Sequence, residues 1–317
     1  MDVKRALSLS KEDAAPLFEK AAAVTRENFG DFIDLRAIIE IGNGCKRSCG
    51  YCGLNKNSGI TRYRMDKNEI TELAVESAEA GFKTVILQSG EDGRDTAELV
   101  EIISEIKKIP VTLTLSLGER PFSDFEKFRA AGADRYLLKH ETADPALYKT
   151  LHPDSSLEKR TSALRELKRL GYLTGSGFMV GLPGQDATGI AADVLLLKEL
   201  DLDMAGIGPF LPSSRTNFKN ALPGDPFLVK KAVAVARILL PKILLPATTG
   251  LGVLNRNERD KLFDSGANVL MKSVTPKKYR DNYEIYDAGK NADKTPKQIY
   301  DESAALIESL GRKVNYV

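Results

Sequence analysis

The chain has 317 residues, 42% hydrophobic and 28% charged, the makeup of a globular protein with a sizeable core. Its 46 Lys and Arg nearly balance 44 Asp and Glu, so the charge asks for neither nucleic acid nor an anionic membrane as main partner. The N-terminal "MDVKRALSLSKEDAAPLFEKAAAV" has no continuous apolar run of a secretory signal, and runs such as "ARILL" are too short to span a bilayer; with reduced thiols this points to the cytoplasm.

Residues 1–34 read as one or two helices, a helical extension packed outside or beneath the main domain. From residue 35 to 317, short apolar runs alternate with longer amphipathic ones, the rhythm of a parallel sheet wrapped by helices. "LRAIIEI" (35–41) is the first predicted strand, followed by helix 67–81 and strand 83–89. Helix 96–108, strand 111–117, helix 123–131 and strand 135–139 come next. Helix 157–170, strand 172–180, helix 189–200 and strand 204–210 continue the pattern. Helix 226–239, strand 242–248, helix 256–265, strand 268–272 and helix 295–310 complete eight strand–helix units. That count favours an α/β fold of the (β/α)8 TIM-barrel type over an open sheet. Gly81, Gly132, Gly171 and Gly266 each follow an apolar-periodic run and suit helix C-caps.

In such a barrel the chemistry sits at the C-terminal ends of the strands. That gathers "LQSGED", "LSLGE", "LLKHETA", "MVGLPGQ", "GIGPF", "PATT" and "LMKS" around one mouth with the loop "GNGCKRSCGYCGLNKN". This loop holds all three cysteines of the chain, Cys45, Cys49 and Cys52, spaced C-x3-C-x2-C. A cubane 4Fe–4S cluster held by three thiolates keeps one iron open. S-adenosylmethionine (SAM) fills such a vacancy through its amino and carboxylate groups, and one-electron reduction then cleaves its C5′–S bond. The competing reading is a zinc knuckle completed by histidine; His140 and His152, the only histidines, lie about a hundred residues downstream, and it is set aside on that ground. A lone histidine is more often a hydrogen-bonded structural residue. Gly181–Gly184 lacks a Walker lysine and reads as a tight turn, and "KKYR" (277–280) as a solvated charge run.

Several blocks resemble the FeFe-hydrogenase maturases of the HydE family, in the branch of the radical SAM superfamily that includes biotin synthase and methylornithine synthase. They are "CKRSCGYCGLNKNSGITRYRM", "VILQSGEDG", "TLSLGER", "GADRYLLKHETADPALYKTLHPD", "LKRLGYLTGSGFMVGLPGQ", "DMAGIGPFLP", "ILLPATTGLG" and "ANVLMKSVTPKKYRDNYEIY". The resemblance implies an enzyme of H-cluster assembly. Its 5′-deoxyadenosyl radical attacks the cysteine sulfur of a small organometallic synthon, an iron carrying carbonyls, cyanide and cysteine. It implies HydG upstream, HydF downstream, and ferredoxin or flavodoxin as electron donor. Two alternatives stand beside it: a methylornithine synthase-like mutase and a non-catalytic iron–sulfur carrier. The absence of further cysteines argues against biotin synthase, which needs a second cluster.

By the same resemblance, Cys45, Cys49 and Cys52 are the cluster ligands. Tyr51 sits by adenine, Glu141 binds the ribose hydroxyls, and Arg160 pairs with the methionyl carboxylate. Lys139 stands where relatives carry arginine. Gln88, Thr114, Arg135, Met204, Thr248, Thr249, Met271, Tyr283 and Tyr286 line the substrate chamber. From residue chemistry alone, Met204 and Met271 also suit a plain core, and Arg135 or Lys139 a salt bridge to Glu141.

Overall fold

A computed structural model describes residues 1–287 and 292–314. Residues 288–291 and 315–317, inside the expected barrel domain, lie outside the described residues. The pattern of the first strand, β1 (Phe32–Gly42), decides the architecture. Ile33, Leu35, Ala37, Ile39 and Ile41 join the main apolar core, while Asp34, Arg36 and Glu40 on the alternate face meet polar groups of the barrel interior. Period-two alternation in a parallel strand thus separates an apolar layer under the helices from a polar lumen.

Two helices precede it, α1 (Val3–Leu7) and α2 (Ala15–Phe29). The remaining order is α3 (Lys67–Ala80), β2 (Thr84–Ser89), α4 (Thr96–Ile106), β3 (Thr112–Ser116), α5 (Phe122–Ala130) and β4 (Arg135–Leu137). Then come α6 (Pro145–Leu151), α7 (Leu157–Arg169), β5 (Leu173–Val180), α8 (Ala187–Glu199), β6 (Met204–Pro209) and α9 (Pro226–Leu239). The last third holds β7 (Pro246–Ala247), α10 (Thr249–Leu254), α11 (Arg256–Asp260), β8 (Val269–Ser273), α12 (Lys277–Arg280), α13 (Pro296–Ser309) and β9 (Lys313–Val314). A 3-10 turn, Lys261–Asp264, comes after α11.

The strands pair in parallel in the order β6-β5-β4-β3-β2-β1-β8-β7. A bridge between Met204 and Leu244 joins the two ends, so the eight-stranded barrel is nearly closed. β9 pairs with the start of β1, outside the ring. α1 and α2 pack on α9, with α1 also against α8, on the outer surface. The predicted α/β barrel is therefore the observed one. β1 begins within the stretch expected to be helical, and α6, α10, α12 and β9 have no counterpart in the expected pattern. Among the described residues no helix is long and apolar enough to cross a membrane.

Packed TIM barrels fill their interior with branched side chains. Here the lumen-facing register instead carries Thr114 and Arg135 side by side, with Gly175 beside Met204. At Gly206 an added Cβ would find only Lys139 Cε at 3.9 Å and Ser176 O at 4.0 Å. Small and polar residues take the place of that branched filling at these positions.

Candidate active site

The cysteine loop leaves β1 at Gly42 and is held by backbone contacts from every side. Asn43 Nδ2 donates to Thr61 O and Asn282 O at 2.8 and 2.7 Å, and Arg62 donates to the carbonyls of Asn43, Leu54 and Asn55. Gly50 N donates to Leu151 O at 2.9 Å and Gly53 N to Ile285 O at 2.7 Å. Gly90, at the end of β2, packs so closely that a Cβ there would lie 2.3 Å from Gly44 O and 3.0 Å from Cys45 Cβ.

Cys45, Cys49 and Cys52 are all free thiols and half-buried on this loop. Burial pushes the Cys52 thiol up to about 12, and Cys49 shifts the same way, each further raised by the neighbouring sulfurs. Three soft donors crowded out of water, unpaired in disulfides, fit a cationic iron–sulfur core that would hold them as thiolates. Among the described residues no three His, Cys, Asp or Glu side chains converge as a single metal ion would need.

His152 corrects the inference from sequence distance. The chain reverses through α6 and brings His152 Nδ1 to 3.2 Å from Cys49 Sγ, with Nε2 at 3.1 Å from the Tyr51 hydroxyl. Burial, with Arg160 and Arg47 nearby, lowers its imidazole to about 3. His140 is the structural one: fully buried, its Nδ1 meets Ser176 Oγ at 2.9 Å.

Beside them, Tyr51 donates to Glu141 Oε1 at 3.3 Å, and Lys139 Nζ lies 2.9 Å from Glu141 Oε2. Glu141 sits at φ 63°, in the left-handed region that residues other than glycine seldom adopt. Ser176 sits at this local break. Its hydroxyl accepts from His140 N at 3.0 Å, where a strand ladder would otherwise run, and Glu141 N rejoins the sheet at Gly177 O, 2.9 Å away. β4 thus ends two residues earlier than the sequence suggests. Asp193 of α8 secures the next turn by accepting from Ala143 N.

Arg160 reaches the same rim but is already engaged. Its Nε donates to Glu119 Oε1 at 2.8 Å, its Nη1 to Lys139 O at 2.9 Å, and its Nη2 lies 3.9 Å from Glu91 Oε1. Arg47 adds contacts to Glu91 at 2.5 Å and Glu119 at 3.1 Å. Arg160 and Arg47 hold the Glu119 carboxyl below its usual range against the opposing effect of burial. Glu119, Arg47 and His152 escape residue-by-residue reading; the strand-end motif "LSLGE" is the signal that marks Glu119.

Deeper in the barrel, Arg135 does not reach Glu141; its Nη1 lies 3.9 Å from Asp34 Oδ2, while Arg36 donates to Asp34 at 2.7 Å. Burial and the adjacent Arg36 lower Arg135 to about 10. Arg135 Nε and Nη1, Thr114 Oγ1 and Thr248 Oγ1 are buried without a hydrogen-bond partner. Unpaired buried polar atoms are costly, and two of these residues, Thr114 and Arg135, are in register on neighbouring strands. Met204 accepts from Arg36 Nη1 at 3.6 Å through its sulfur, and Met271 is in register with Arg36. Gln88 donates to Tyr283 Oη at 3.1 Å. The Tyr286 ring lies beside Gly250, and Thr249 is exposed at the start of α10. Glu40, absent from the predicted set, accepts from Ser273 at 2.6 Å and from Thr275; burial raises its carboxyl.

Comparison with known proteins bears on this geometry. The radical SAM superfamily model matches residues 39–219. HydE, the [FeFe] hydrogenase maturase subunit of Thermotoga maritima, is 45% identical over 98% of this chain and 90% of its own length. The chain belongs to the HydE family of radical SAM enzymes. This HydE-family chain shares its fold with methylornithine synthase, whose crystal structure superposes with a TM-score of 0.86 over 99% of this chain and 93% of that one, at 27% identity. 3-Methylornithine synthase of Methanosarcina acetivorans is 29% identical over 87% of this chain and 79% of its own. The structure of HydG, at 19% identity and a TM-score of 0.83 over 98% of this chain and 71% of that one, shares the fold. Membership in the radical SAM superfamily implies a 4Fe–4S cluster and SAM.

Proposed function

We propose that this HydE-family enzyme acts in FeFe-hydrogenase maturation, transferring the adenosyl group of SAM to the cysteine sulfur of a small iron–carbonyl–cyanide–cysteine synthon. Cys45, Cys49 and Cys52 hold the cluster, and when bound the cluster and SAM together supply reductive cleavage of the C5′–S bond. The observation that carries the reading is the set of unpartnered buried groups on Arg135, Thr114 and Thr248 below a mouth rimmed by the cysteine loop and Glu141. Arg135 offers a desolvated positive charge to an anionic iron unit, and the hydroxyls offer hydrogen bonds.

At the rim, Glu141 accepts from the ribose hydroxyls, Tyr51 flanks adenine, and Arg160 and Lys139 present positive charge to the methionyl carboxylate. Gln88, Tyr283, Tyr286, Thr249, Met204 and Met271 complete the chamber wall, the methionines as soft, adaptable surface. We assign the electron donor to a ferredoxin or flavodoxin, the source of substrate to HydG, the receiver of product to HydF, and the location to the cytoplasm.

The test is anaerobic reconstitution, then dithionite, SAM and an iron–carbonyl–cyanide–cysteine complex, with mass spectrometry of the products. Adenosylated cysteine is the expected result; an intact cluster that fails to cleave SAM overturns the reading. A mutase of the methylornithine synthase type has support from the 0.86 TM-score. Conversion of L-lysine to a branched isomer would select it. Full transfer of the cluster to an acceptor protein, without SAM cleavage, would select a carrier.

A further inference from the structure

We infer that His152 donates its Nδ1–H to the Cys49 sulfur and so raises the reduction potential of the cluster that Cys49 helps to hold. The inference rests on the reading that Cys49 ligates iron, and goes beyond it to a positioning residue outside the cysteine motif.

Four contacts fix the imidazole. Its Nδ1 lies 3.2 Å from Cys49 Sγ and its Nε2 3.1 Å from Tyr51 Oη. One face stacks on Tyr148, with centroids 4.7 Å apart and planes 22° from parallel. Its backbone N–H caps α6 by donating to Tyr148 O at 2.7 Å. The residue is 5% exposed, so water does not compete for the sulfur.

The protons can then be counted. A neutral imidazole has one N–H, and Tyr51 has one O–H. In one arrangement Tyr51 donates to Glu141 and accepts from Nε2–H, which leaves the Nδ1 lone pair facing sulfur. That suits a thiol, which can donate. A thiolate has no proton to give, and a lone pair 3.2 Å from its charge is repulsive. The thiolate therefore selects the other arrangement: Nδ1–H points at sulfur, and Tyr51 donates to Nε2.

This proton arrangement has two effects. A donor aimed at a thiolate gains strength as the cluster takes up an electron, which favours the reduced form. Tyr51 also withdraws its proton from Glu141, leaving Oε1 open to accept from a ligand hydroxyl. The contact at Cys49 thus readies a carboxylate on the far side of Tyr51.

The experiment uses the reconstituted full chain with iron counted first; failure of the wild type to hold iron would count against the cluster reading itself. EPR-monitored redox titration without SAM then compares wild type, His152→Phe and His152→Asn. Phenylalanine keeps the stacked ring and loses the donor. Asparagine places an amide nitrogen where Nδ1 stood. We expect His152→Phe to lower the equilibrium constant for reduction about tenfold, about 59 mV for a one-electron couple. His152→Asn should keep most of the wild-type value. An unchanged potential in His152→Phe, or an equal fall in both variants, overturns the inference. In the wild type alone, ENDOR of the reduced cluster in D2O should show an exchangeable deuteron near Cys49. Its absence, or a nitrogen bound directly to iron, also overturns it, even if a variant fails to load.

Discussion

Glu141 Oε2 lies 2.9 Å from the Lys139 ammonium, and the pair spans a single residue, His140, whose backbone hydrogen bond to Ser176 turns the strand end. Glu141 holds this place with a φ of 63°, its other carboxylate oxygen 3.3 Å from the Tyr51 hydroxyl. Glu141→Gln keeps the shape and removes the charge. It should weaken SAM binding by at least about tenfold, about 1.4 kcal/mol, with iron content unchanged. Anaerobic calorimetry against the loaded protein, with iron counted beforehand, checks both.

Gly90 is where β2 meets the cysteine loop. An alanine Cβ would collide with Gly44 O and crowd Cys45, and neither is the end of a flexible side chain. Gly90→Ala should therefore cost about 1–3 kcal/mol and sharply reduce iron bound after reconstitution. Gly206→Ala, whose Cβ would make only ordinary contacts at 3.9 and 4.0 Å, should load iron normally; colorimetric iron per chain separates the two.

Asp193 gives a pH signature. Burial raises its carboxyl from 3.8 to about 7, against the donors Ala143 N, Gln185 and Thr142. Between those values the folded protein holds a proton that the unfolded chain has released, so this group's contribution is full below about pH 4 and lost as pH rises through about 7, on the order of 4 kcal/mol. Asp193→Asn should flatten that part of the stability–pH curve, read by urea melts at pH 4 to 8.

Arg237 tests the outer layer. Fully buried on α9, it donates to Gly266 O, Pro241 O and Asn268 Oδ1 at 2.9, 2.8 and 2.9 Å. Arg237→Leu orphans these acceptors and should destabilise the chain by about 3 kcal/mol without touching the mouth. Denaturant melts should shift while SAM affinity in the surviving folded fraction stays unchanged.

The barrel was legible in the sequence because short apolar runs such as "KTVILQS" alternate with longer amphipathic ones, and because glycines such as Gly81 close helices before a strand. β7 was not: "KILLPAT" looks like seven strand residues, but Asn268 Oδ1 takes the Leu245 N–H, and only Pro246–Ala247 pair as strand. α6 was hidden because seven residues give too little periodicity. The cysteine motif was local and so readable. Glu119 could be found only as the end of the strand motif "LSLGE"; His152 belongs to the site through the fold alone, and no spacing rule reaches across 103 residues from Cys49.

The closure of the barrel is uneven. β5 and β6 register over six residue pairs, yet β6 reaches the segment before β7 through two backbone hydrogen bonds, Ala205 N to Leu244 O at 3.0 Å and Leu244 N to Asp203 O at 2.9 Å. A hoop fastened by one staple breathes at the staple. Deuterium should enter the amides of Ala205 and Leu244 before those of β5, and the wall carrying Met204 should flex with them.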